Sequence, residues 1–81
     1  MHETGIIKDM LEAINKLRRS HEGRPVRAIT VELSKFGGFE EEHFREHFSQ
    51  ATQGTDLAGV DIKIKKVPLG PQARLTRVTF E

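Results

Sequence analysis

Three stretches of alternation set the architecture open to this chain. Ile29, Val31 and Leu33 alternate with Ala28, Thr30 and Glu32; Val60, Ile62 and Ile64 alternate with Asp61, Lys63 and Lys65; Val78 and Phe80 alternate with Arg77 and Thr79. Successive side chains of a strand point to opposite faces, so each stretch makes a strand with one apolar and one polar side. Together they make a sheet that is covered on one face and solvated on the other. Leu75 is out of phase with Val78 and Phe80, which predicts a bulge or an early strand end there.

The cover is read from helical spacing. Ile6, Ile7, Met10, Leu11, Ile14 and Leu17 recur at three- and four-residue steps after Thr4, a suitable N-cap, with Lys8, Asp9, Glu12, Asn15 and Lys16 on the other side. Arg18, Arg19 and His21 suit the negative end of the helix dipole, and Gly23 and Pro25 stop the helix. A start at Thr4 leaves Met1 to Glu3 as a short arm. A second helix runs from Phe39 to about Gln53, burying Phe44, Phe48 and Ala51, with Glu40, Glu41 and Glu42 at its N-terminus and Gly54 beyond its end. Between these elements, Ser34 to Gly38 and Thr55 to Gly59 read as a turn and a loop. The order α-β-α-β-β, with every strand one-sided, predicts an α+β two-layer sandwich: a three-stranded mixed sheet with both helices packed on one face. The short link Pro68 to Pro71 predicts an antiparallel hairpin of the second and third strands. The helical crossover permits a parallel pair, and spatial strand order stays open.

With 81 residues the chain makes one domain near the small end of what a single core supports. It has no cysteine, which excludes disulfides and thiolate zinc sites. A net charge of +1 is a poor electrostatic footprint for nucleic acid, and no apolar run approaches a membrane span or signal peptide. The expected setting is the cytoplasm.

Chemistry concentrates at Met1-His2-Glu3. The Met1 amine, the His2 amide nitrogen and the His2 imidazole can close fused chelate rings on one metal ion. An amide nitrogen gives up its proton only to a metal that strongly favours square-planar nitrogen donors, which means nickel or copper(II). Any chain with histidine second has the same atoms, so the motif gains meaning only from its scaffold. His43-Phe44-Arg45-Glu46-His47 places two histidines four apart on a helix and matches the H-x-x-E-H pattern of a zinc hydrolase. The chain offers too little scaffold for a further carboxylate ligand and a substrate cleft. His47 falls at the edge of the Phe44/Phe48/Ala51 stripe and His43 further round, so both read as surface histidines before metal ligands. The basic stretch Lys16 to Arg27 reads as a solvated helix end and loop. The Gly37-Gly38 pair lacks the spacing and lysine of a nucleotide loop.

The order of elements resembles the HypA nickel metallochaperones of hydrogenase and urease maturation. The likeness is carried by Met1-His2-Glu3-Thr4-Gly5-Ile6, Val31-Glu32-Leu33 through Phe36-Gly37-Gly38-Phe39, the acidic helix start with Phe44 to Phe48, Thr52-Gln53-Gly54-Thr55, and the strand Val60 to Val67 ending in Pro68. It spans nearly the whole chain. That family carries a zinc lobe, held by two cysteine pairs, between the second and third strands; here the place is Leu69-Gly70-Pro71-Gln72-Ala73. The resemblance therefore implies residues 1–81 as a nickel-binding domain without the zinc lobe and without structural zinc. It also implies His2 as nickel ligand beside the Met1 amine, with Glu3 tuning the site. The implied partners are a HypB-type GTPase and an immature nickel enzyme, with the remaining donor to the metal coming from a partner, a second protomer in a homodimer, or water. The expected protein is a Ni(II) carrier and not an enzyme. The alternative is a protein–protein interaction module that kept this fold without metal delivery.

Overall fold

β1 (Val26–Ser34) carries the most deeply buried stretch of the chain, and the other elements arrange around it: α1 (Glu3–Arg19), α2 (Glu41–Thr52), β2 (Asp61–Val67) and β3 (Ala73–Phe80). The computed structural model describes residues 3–81. The sheet order is β2-β1-β3. β1 runs parallel to β2, with Ile29 opposite Ile62 and Val31 opposite Ile64, and antiparallel to β3, with Ile29 opposite Val78. The α+β fold with a mixed three-stranded sheet is the one the alternation and spacing imply.

The expected hairpin of the second and third strands does not form. β2 and β3 are the two edges, and β1 lies between them. Val26, Ile29, Val31 and Leu33 are all buried, so β1 gains most from a central place, whereas the lysine-rich β2 is a suitable edge. The link from Val67 to Ala73 has to cross only two inter-strand spacings, about 10 Å, which a few extended residues span. It is tied to the end of β1 on the way. Lys35 N donates to Val67 O (2.9 Å), Ser34 N to Gln72 O (3.2 Å), and Gln72 Nε2 to Gly37 O (2.7 Å).

The phase break at Leu75 is a bulge. The register steps from Thr30–Arg77 to Val31–Leu75, leaving Thr76 as the extra residue, and a second shift at β1's start leaves Arg27 extra.

Ile7, Met10 and Ile14 of α1 and Phe44 and Phe48 of α2 meet Val26, Ile29, Val31 and Leu33 in one core. Five positions depart from the sequence reading. Leu17 is 38% exposed, because the face of α1 that continues from Ile14 passes through Arg18, which reaches Asp56 in the loop before β2. Ala51 is exposed and Thr52 is buried in its place. Its hydroxyl donates to Phe48 O (2.9 Å), so the side chain enters the core with its polar group satisfied. Leu57 lies in the core although it belongs to a loop. Thr55 donates to Thr52 O (2.6 Å) and accepts from Leu57 N (3.2 Å), a local turn that points Leu57 inward. Ala28, on the polar face of β1, is nonetheless buried between Asp61 and Thr79.

α1 is already helical at Glu3, so Thr4 lies in its first turn and Glu3 is not part of an arm. Met1 and His2, where the rest of the expected arm falls, lie outside the described residues. At the other end Gly23, at φ +72°, donates to Arg18 O (2.9 Å) and closes the helix as its left-handed conformation allows.

Candidate metal centre

α1 feeds the start of β1, and α2 carries the chain from the end of β1 back to a parallel β2. Both helices therefore run opposite to β1 and begin at its C-terminal end, where the 34–40 turn and the 68–72 link also lie. Two cavities record this convergence. One, of 440 Å³, lies between Ile6, Asp9, Met10 and Ala13 of α1 and the Pro71–Leu75 stretch. The other, of 250 Å³, is lined by Thr4, Ile7, Lys8 and Leu11 of α1 and by His47 and Ala51 of α2. The first turn of α1, which follows directly on Met1 and His2, thus faces the half-buried His47.

Of the residues singled out in the sequence, Met1 and His2 fall outside the described residues, and Glu3 is placed as the first residue of α1. His43 is exposed and His47 half-buried, as the stripe of α2 implies. Their rings are nearly parallel, 13° apart, with centroids 6.2 Å from each other. His21 is otherwise engaged: it stacks on Phe80 at 4.4 Å, and its Nδ1 donates to Leu17 O at 2.9 Å. Among the described residues no three histidine, aspartate or glutamate side chains converge on one point. Among the described residues, no third ligand joins His43 and His47.

The charged groups nearby are organised for structure. Arg45 donates from Nε to Glu41 (3.2 Å) and from a guanidinium nitrogen to Ile62 O (2.7 Å), fixing α2 against β2. Arg18 grips Asp56 with both guanidinium nitrogens. That hydrogen bonding holds the Asp56 carboxyl below the usual carboxylate range and raises the Arg18 guanidinium. On the open face of the sheet, Glu32 stands in register between Lys65 and Arg74, and its carboxylate lies 3.6 Å from Arg74. Sequence alternation identified that face as polar. The cavity against His47 was not legible in the sequence, because it depends on how the two helices dock.

The architecture defines a small two-layer α+β protein in which both helices start at one end of the central strand. The chain belongs to the HypA family: residues 1–74 match the family model described as hydrogenase/urease nickel incorporation, metallochaperone, hypA. The family is one of metallochaperones and not of enzymes. A curated relative, the hydrogenase maturation factor HypA of Beijerinckia indica subsp. indica, is 28% identical over 68 residues, which cover 84% of this chain and 60% of that protein. The chain thus spans little more than half the length of that relative. The solution structure of the Ni metallochaperone HypA from Helicobacter pylori matches with a TM-score of 0.74 at 12% identity, over 99% of this chain and 97% of that one. At that identity the likeness is one of fold. No described helix is long and apolar enough to cross a membrane.

Proposed function

We propose that this chain is a nickel carrier that holds Ni(II) at Met1-His2-Glu3 for delivery in hydrogenase or urease maturation. The observation that carries the reading is the family match, which begins at residue 1 and so includes the Met-His-Glu start. The Met1 amine, the deprotonated His2 amide and the His2 imidazole bind the ion, and Glu3 shapes the charge beside it. The fold supports this reading by setting α1 directly after the motif, with its first turns packed against α2 and the start of β3. The partners proposed are a HypB-type GTPase and an immature nickel enzyme, and the proposed setting is the cytoplasm. Residues 1–81 act as a nickel-binding domain in which the bonded link 68–72 stands where the family's zinc lobe is expected, and a chain with no cysteine holds no thiolate zinc.

Nickel titration of tag-free protein, followed by calorimetry and absorbance, tests the reading. Wild type is expected to bind one equivalent with the spectrum of a square-planar nitrogen-ligated ion, and His2→Ala to lose it. An unchanged square-planar spectrum in His2→Ala would refute the carrier site.

One observation favours a second reading, an interaction module. Phe36 and Leu69 are 86% and 82% exposed, on the turn and the link that are bonded together at the end of β1. Replacing both by serine would weaken a partner complex under this reading and leave nickel binding unchanged.

A further inference from the structure

The open face of the sheet carries a charge that the whole-chain balance hides. Lys63, Thr30 and Arg77 stand in register across the three strands, and Lys65, Glu32 and Arg74 form the next row. The row before them is Asp61, Ala28 and Thr79. This face thus sets four cations against two carboxylates, and the other ten of the twelve acidic residues lie elsewhere in a chain of net charge +1. Glu32 is engaged by Arg74 at 3.6 Å. Lys63, Lys65 and Arg77 are exposed and take part in no ion pair or side-chain hydrogen bond among the described residues. The core and both helices lie on the opposite face, so nothing in the described chain covers these side chains. Lys63 and Lys65 are two residues apart on one strand, about 7 Å, which is inside the screening length of about 8 Å at physiological salt. They repel each other, and only an anion from outside the described chain offsets that cost.

We propose that this face docks an acidic, extended segment of a partner protein, with Lys63, Lys65 and Arg77 holding its carboxylates. Carboxylates at alternate positions of an extended segment repeat at about 7 Å, the same step as Lys63 to Lys65 along β2. Two of them meet these lysines in turn. β2 and β3 flank β1 about 10 Å apart, so Arg77 reaches the first carboxylate from the other side, over the Thr30 hydroxyl. A nucleic acid fits less well. The three rows include no aromatic side chain on which a base could stack, and the Glu32 carboxylate at their centre repels a phosphate backbone. The groups that bind are distinct from those of the terminal chelate and from Phe36 and Leu69, so the surface serves whether or not the chain carries nickel.

The test uses the full chain and a fluorescein-labelled peptide of alternating glutamate and threonine, with fluorescence anisotropy read at low and at physiological salt. Wild type is expected to bind, more weakly as salt rises, because exposed charges are screened. Backbone amide resonances are expected to move at Thr30, Lys63, Lys65 and Arg77 and to stay in place along α1. Lys63→Glu with Arg77→Glu is expected to lose affinity by about tenfold. Lys8→Glu with Lys16→Glu changes the net charge equally on the exposed side of α1, and is expected to bind like wild type. All four positions are exposed, so both double variants keep the fold, as far-UV circular dichroism would verify. Absence of binding at low salt, or an equal affinity in the two double variants, would overturn the proposal. So would tighter binding of a single-stranded oligonucleotide than of the peptide. None of these results bears on the terminal chelate, whose readout is the square-planar nickel spectrum.

Discussion

Phe44 and Phe48 fill the centre of the core, each essentially without solvent contact, with ring centroids 6.1 Å apart. Removing one leaves a void that neighbours drawn from α1, β1 and α2 cannot all close, so Phe44→Ala is expected to lower stability by about 3–5 kcal/mol. In a chain this short that is a large part of the total, and urea denaturation would show a much earlier midpoint. At the surface the sign of a charge effect is fixed by Asp56. Its folded-state carboxyl is depressed by the Arg18 hydrogen bonds, so the pair's contribution is fully present above the unfolded carboxylate value and is lost as pH falls through the folded one. Asp56→Asn should therefore be less stable than wild type at neutral pH, and the gap should narrow as pH falls through and below the usual carboxylate range. A gap independent of pH in paired urea titrations would mean that the carboxylate charge is not what matters at this position.

At the scale of elements, the link between β2 and β3 depends on close backbone approach. A Cβ added at Gly37 would lie 2.9 Å from the Gln72 Cα, and Gln72 is the residue that bonds both Ser34 and Gly37. Gly37→Ala is expected to push the link off the end of β1 and to cost about 1–3 kcal/mol, with faster amide exchange at Ser34, whose N–H the link's carbonyl accepts. The two helices and the three strands were legible in the sequence because alternation and helical spacing are local. The pairing was not. That β1 takes the centre depends on comparing three strands' apolar faces and on a short link crossing over one of them, neither of which any one segment encodes. Thr52 and Ala51 are both helically spaced from Phe48, and the choice fell to Thr52 because its hydroxyl bonds a carbonyl inside its own helix. Leu57 has no period to betray it and enters the core through the Thr55 turn.

Over the whole molecule, the candidate site was legible as chemistry and not as placement. Met-His-Glu names its donor atoms without any structure, whereas the approach of His47 to the first turn of α1 exists only once two helices share one face of a sheet. Coordination by the terminal chelate requires neutral imidazole and amine, whose ordinary pKa values are about 6.5 and about 7.7–8.0. Nickel affinity is therefore expected to fall steeply between about pH 7.5 and about pH 5.5, as competition titrations would measure. Equal affinity at both would rule out donors of this kind. The link over the end of β1 carries one further consequence. Its hydrogen bonds sit at Val67 and Gln72, while Leu69 and Gly70 between them are exposed. The molecule thus offers a splice point at which foreign sequence, a fluorescent reporter for example, can be grafted without cutting a bond of the sheet. α1 and Pro71–Leu75 face each other across the cavity between them, which would set that graft to the side of the N-terminal helix, where it could report on what the first residues bind.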